Sequence, residues 1–433
     1  DPVKTTTATN IAAPTHQAKI EIAPSATGYD IRRFRCASYL LVQAAGVGIL
    51  SGWSIGIFKI LIDTVQHVSY ETVKVTNPLL RILWLPTIPL LGGFVVAILS
   101  KLGGGFPPGL RETVKSVDRF SLQTHNNNNK PDPQEEEQEA VDKAYHPLLH
   151  QFRFIKKSLA AVVTLGTGCS LGPEGPAVEL GMNLSRLIMD IFPAKSTSVE
   201  EEESGPLELF QQRRILLACG AAAGVSAGFN APIAGAFFAL EIMQQAFVSL
   251  DQESIKSGGG DDAVKRRSPS LTASGNISAV LLSSVLSALV CKSLLGEHLL
   301  LALKDYSMKT PLLELPLFLL LGATSGLSAF LFSQIAKTSR SLFQGNVGPK
   351  FLQTKMKQLP SLSKPAIGGL FSGVVGLVFP QILFCGYDTV NHVLANRMLP
   401  TTLLLSLLFV KMITTAVAAG SGLVGGTFAP SLF

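Results

Sequence analysis

Charge is scarce in this sequence. Of its 433 residues, 15% are Asp, Glu, Lys or Arg, against about 25% in an average soluble domain. So little charge with so much apolar content excludes a disordered chain, which stays unfolded through high charge and low hydrophobicity. Cysteine is too sparse for a secreted disulfide scaffold. The five residues Cys36, Cys169, Cys219, Cys291 and Cys385 are odd in number and fall in no metal-ligand spacing. They read as small apolar side chains, and neither a metal nor a cofactor is expected. The one compact basic run, Lys265-Arg266-Arg267, has Asp261 and Asp262 beside it and no interleaved aromatics, which argues against nucleic acid as a partner. The seven histidines form no pair and no Ser/His/Asp arrangement. Gly166–Gly172 has one residue too many for a dinucleotide fingerprint and lacks the Lys-Ser/Thr of a phosphate loop.

What remains is apolar. Hydrophobic residues make up 47% and the mean hydropathy is +0.36. Part of the acidic charge is packed into two clusters, Glu135 to Glu139 and Glu200 to Glu203, leaving long intervals with little charge. An all-α integral membrane protein with several spans is expected, with the lipid bilayer as its solvent. Residues 1–32, rich in Thr, Ala and Pro in their first part, read as a flexible leader. The chain opens on Asp and stops inside an apolar stretch, so a piece of a longer protein is expected. Arg32, Arg33 and Arg35 precede the first apolar run, Tyr39 to Ile62, and favour an N-terminus on the cytoplasmic or equivalent side. A second run, Leu83 to Leu99, contains Pro86 and Pro89, which either kink it or mark its start. Later apolar stretches are often shorter than the roughly 20 residues of a straight span and are interrupted by Gly and Pro. Helices that stop partway through a bilayer have this pattern, because their bared backbone is tolerated where it lines a cavity. The hydrophilic stretches 119–146, 194–207 and 251–275 read as solvated loops.

Three breaks carry the chemistry. They are Gly103-Gly104-Gly105-Phe106-Pro107, the run Gly166 to Pro176, and Gly425-Gly426-Thr427-Phe428-Ala429-Pro430. Each ends on a proline where a helix can begin, since the first turn has no partner for that N–H anyway. A helix starting inside a membrane aims unpaired N–H groups and the positive end of its dipole into a low-dielectric space, and so binds anions. Partial charges hold an anion loosely enough to let it go. Glu174, between Pro173 and Gly175, is stabilised by the same N–H groups. It is expected to occupy the site itself and to be displaced by an anion or neutralised by a proton. The plainer reading makes it a helix-start acid at the membrane surface.

These residues resemble the CLC family of chloride channels and anion/proton exchangers. Gly103–Pro107 is similar to its GSGIP signature, Gly172–Pro176 to G(K/R)EGP and Gly426–Pro430 to GxFxP, in the family's order. Phe229 to Gly235 is similar to the family's segment before its next helix, and GPEGP with acidic insertions resembles the plant organellar branch. The resemblance implies a fold of two inverted repeats with broken and tilted helices, here over 33–295 and, incomplete at its C-terminal end, 311–433. It also implies a homodimer with one anion pathway per subunit and a pore tyrosine beyond the end of this sequence. Carried over residue by residue, Glu174 is the gate, and Gly104, Gly105, Phe106, Gly175, Thr427 and Phe428 are anion-binding. Gly104 stands where the family has a serine, which leaves the choice between chloride and nitrate open. Pro173 stands where the family has a basic residue. At Ile242 the family's exchangers carry a proton-transfer glutamate, and isoleucine carries no proton. Glu241 is one step away, about 100° around a helix.

The expectation is therefore a non-enzymatic anion transporter, chloride its first substrate, working as a passive glutamate-gated channel. A coupled anion/proton exchanger using Glu241 or a water path is the alternative, and an intramembrane enzyme with Glu174 as base a distant one. An organellar, plastid-type membrane is expected from the branch alone.

Overall fold

The structure, a computed structural model, describes residues 26–71, 78–102, 105–107, 109, 153–192, 205–241, 243, 274–296, 311–360, 362–395 and 399–433. The chain divides into two compact units, Asp1–Tyr39 and Leu40–Phe433. Among the described residues the first unit holds only the opening turns of a helix. The second unit carries every feature of the site.

Helices account for nearly all of it. In chain order they are α1 (Ala26–Glu71), α2 (Pro78–Lys101), α3 (Arg153–Gly166), α4 (Glu174–Ile191) and α5 (Gly205–Phe229). Then come α6 (Pro232–Glu241), α7 (Ser274–Leu295), α8 (Pro311–Gln344), α9 (Lys350–Gln358), α10 (Ser363–Val378), α11 (Tyr387–Leu394), α12 (Thr401–Gly420) and α13 (Phe428–Leu432). Helix α1 has already begun at Ala26, within the stretch read as a leader, and residues 1–25 lie outside the described residues. Pro86 and Pro89 both sit inside α2, so neither marks its start.

Five helices among the described residues are long and apolar enough to cross a membrane: Ser38–Glu71, Ile82–Lys101, Asn276–Leu295, Glu314–Gln344 and Thr401–Gly420. Outward apolar surface supports this. Leu317, Leu319, Leu321 and Phe330 on α8 are all exposed, a surface that is stable against acyl chains and costly in water. In lipid the hydrophobic effect does not drive helices together, and close contact through small residues does. Helix α1 meets α7 this way: a side chain on Gly52 would begin 2.6 Å from the Ser287 carbonyl oxygen. Helix α4 meets α5 where a side chain on Gly224 would begin 2.7 Å from Ala177 O. Buried hydroxyls of α7 close the remaining gaps. Ser283, Ser287 and Ser284 donate to the carbonyls of Cys219, Ala223 and Pro232.

Two segments, one from each half, are built alike. Helix α3 ends at Gly166 and the chain turns at Gly168, whose φ of +90° is the left-handed conformation only glycine adopts freely. Cys169 N donates back to Thr164 O, closing the helix end. Helix α12 ends at Gly420 and turns the same way at Gly422, with φ +94°. After each turn the chain extends and a new helix begins, at Glu174 and at Phe428. The two extended pieces pair antiparallel: Gly172 N donates to Gly426 O at 2.8 Å and Gly426 N to Gly172 O at 2.7 Å. This brings two helix starts, far apart in sequence, side by side.

Candidate anion site

Glu174 occupies the junction. It is the first residue of α4, preceded by Pro173 at φ −79° and ψ −11° and followed by Pro176 within the first turn. Its exposure is 6%, so the carboxylate is shielded from solvent. Tyr387 Oη donates to Glu174 Oε1 at 2.9 Å. On the other carboxylate oxygen, Ala429 N, in the first turn of α13, donates to Oε2 at 3.4 Å. The carboxylate thus lies among the N–H groups of two helix starts, where a free anion would find the same donors.

Helix starts are packed closely here. A side chain on Gly426 would begin 2.8 Å from Gly175 N, so the two backbones approach this far because position 426 carries none. Thr427 precedes α13, and Phe428, half exposed, stacks edge-on against Phe229 with ring centroids 5.4 Å apart. Lys59 of α1 donates to Ala227 O at 2.9 Å and Gly228 O at 2.6 Å, the last carbonyls of α5, where a cation complements the helix dipole.

Tyr387 reaches Glu174 because of the turn that precedes it. After α10 the chain makes a short 3-10 turn over Pro380–Ile382. Phe384 then adopts φ +59° and Gly386 φ +87°. A left-handed phenylalanine costs on the order of 1–2 kcal/mol, and the surroundings hold it there. Phe384 N donates to Gly168 O at 3.3 Å, its ring meets Tyr70 edge-on at 5.1 Å, and its carbonyl accepts from Lys411. Lys411 is buried within α12, with Nζ donating to Ile382 O and Phe384 O at 2.8 Å each and lying 5.0 Å from the Phe433 ring centre. An intramembrane cation satisfied by backbone carbonyls is tolerable where an unpaired one is not.

Gly104 lies outside the described residues, as does Ile242. The Gly105 N–H donates to Ser100 O at 2.9 Å and closes α2, which commits that donor to the backbone. Phe106 packs against the cluster that includes Leu171, Ala177 and Leu180. Glu241 is exposed, at the end of α6. Tyr387, Lys411 and the Ala429 N–H were not singled out from the sequence. The signal for Tyr387 was the polar-aromatic Gly386-Tyr387-Asp388 directly after an apolar stretch.

Fold and site together define an all-helical membrane protein that gathers helix starts around one buried carboxylate. Residues 130–433 match the model of the voltage gated chloride channel family, and the chain belongs to that family. It is 31% identical over 408 residues to "Chloride channel protein CLC-e" of Arabidopsis thaliana, covering 91% of this chain and 48% of that protein. It is 31% identical over 276 residues to "H(+)/Cl(-) exchange transporter ClcA" of Salmonella newport, covering 64% of this chain and 49% of that one. The chain thus spans about half the length of these curated relatives. The crystal structure of a slow cyanobacterial Cl−/H+ antiporter shares the fold, with a TM-score of 0.63 at 21% identity over 90% of this chain and 76% of that one.

Proposed function

We propose that the protein carries small anions, chloride first among them, passively across a membrane through a pathway gated by Glu174. The observation that carries this reading is the position of the Glu174 carboxylate. It is held by Tyr387 Oη and Ala429 N at the helix starts that would otherwise hold the anion. An arriving anion competes for these donors, and protonation removes the charge that they stabilise. Either event opens the pathway. Passive conduction follows from Ile242, which carries no proton, and from Glu241, which is exposed at a helix end. Gly175, Thr427 and Phe428 line the outer part of the site. Gly104 offers no hydroxyl to favour chloride over nitrate, so both pass. The protein works as a homodimer, in a plastid-type membrane. No enzymatic role is proposed.

Coupled exchange is a second reading, favoured by the names of two relatives, the exchange transporter and the antiporter. The zero-current potential of the full-length protein in liposomes, under opposed chloride and proton gradients, separates the two. A passive channel follows chloride alone, and a potential that moves with the proton gradient overturns passive conduction. In the same liposomes Glu174→Ala leaves anion flux but removes its pH dependence. Loss of all flux would overturn the gate.

A further inference from the structure

Helix α4 carries a second carboxylate with no part in the gate. Glu179 lies five positions after Glu174, which at about 1.5 Å per residue places it roughly 7.5 Å further along the axis and on another face. Its Oε2 is 2.7 Å from Lys157 Nζ of α3, and the two side chains are only 23% and 17% exposed. Lys157 Nζ also donates to Pro107 O at 3.3 Å. The neighbouring Lys156 donates to Leu102 O, so α3 reaches both ends of the first glycine-proline break. Between Pro107, Phe154, Lys157, Pro176 and Glu179 lies a cavity of about 10 Å³, about the room of one water. The ion pair is therefore close-packed between the break and the gating helix.

A lone lysine here would be a full positive charge beside an anion pathway whose other ligands are partial charges. A full charge binds an anion more tightly than a partial one and so slows its exit, which conduction requires to be easy. We propose that Glu179 masks Lys157, so that the mouth formed by the first break presents a neutral pair instead of a bare cation. Glu179 is in this sense a residue that tunes anion affinity through Lys157. The inference rests on the first break lining the pathway, as in the proposed function.

The test measures chloride uptake against chloride concentration, in liposomes holding the full-length protein, for the parent, Glu179→Gln, and Glu179→Gln combined with Lys157→Gln. Unmasking Lys157 in the single variant lowers the half-saturating chloride concentration by about ten-fold and lowers the maximal rate with it, the lower end of the scale on which charge focused in a cleft acts. Removing Lys157 as well returns both values toward the parent. A merely structural pair gives the opposite pattern, because the double variant is then no better than the single. Either that pattern or an unchanged single variant overturns the inference. If Glu179→Gln does not fold, Glu179→Asp keeps the charge but shortens its reach. It should shift the half-saturating concentration in the same direction by a smaller factor, and no shift overturns the inference. A parent without chloride flux overturns the proposed function along with it, whereas parental flux with an unrescued double variant overturns this inference alone.

Discussion

Replacing Tyr387 by phenylalanine deletes one hydroxyl from the site and leaves the ring. The hydroxyl is the donor to Glu174 Oε1 at 2.9 Å, and the carboxylate that accepts it is 6% exposed. Little water is available to replace the lost donor. Hydrogen bonds to charged groups contribute about 1.5–3 kcal/mol, and each 1.4 kcal/mol is tenfold in an equilibrium constant. The other donors on the carboxylate, its own backbone N–H and Ala429 N at 3.4 Å, are already engaged and do not compensate. In a gate closed by the Glu174 carboxylate, Tyr387→Phe therefore shifts the closed-to-open ratio toward open by about ten- to a hundred-fold. The assay is single-channel recording in planar bilayers at several external chloride concentrations. Open probability rises at low chloride, and the concentration that half-opens the gate falls, while the conductance of the open state stays near that of the parent. An open probability equal to the parent's at every concentration would refute the reasoning. So would a fall in conductance with gating unchanged, since that would place the hydroxyl on the permeating ion.

Two further substitutions probe what supports this geometry. Lys411→Met leaves the carbonyls of Ile382 and Phe384 without the donors they now have at 2.8 Å, at about 1–3 kcal/mol for each unsatisfied group. Thermal unfolding in detergent should show a clear loss of stability, and open probability should move in the same direction as in Tyr387→Phe. An unchanged unfolding midpoint would mean that the lysine does not hold the turn. Gly52→Ala puts a methyl carbon 2.6 Å from Ser287 O and 2.9 Å from Val290 Cβ. Separating α1 from α7 is expected to cost about 1–3 kcal/mol, read as a lower yield of monodisperse protein, and a wild-type yield and midpoint would refute the close contact.

Several features of this protein are local and could be read along the chain. Gly168 and Gly422 end their helices because the left-handed turn needs glycine. Pro176 and Pro430 sit in the first turns of α4 and α13 because proline suits that place and few others. A carboxylate at such a start, in a chain this apolar, marked Glu174. Helix lengths were less legible. The apolar run Tyr39 to Ile62 ends well before α1 does at Glu71, and α8 continues to Gln344 through the polar stretch after Phe332. Apolar content records where lipid or protein covers a helix, and a helix extends past that cover wherever its own hydrogen bonds suffice.

By itself, then, the sequence determined the helical membrane class, the places where helices break, and the acid at one of those breaks. All of these follow from side-chain chemistry within a few residues of backbone. Only the tertiary structure decided what the acid touches. Tyr387 and Ala429 lie 213 and 255 residues from Glu174, and they reach it because Gly172 pairs with Gly426 and a buried lysine holds the turn before α11. Nor does any spacing rule announce that Glu179 meets Lys157 rather than solvent. Each of these contacts depends on how close two distant segments come, and between Gly175 and Gly426 that distance is set by the lack of a side chain on both partners at once.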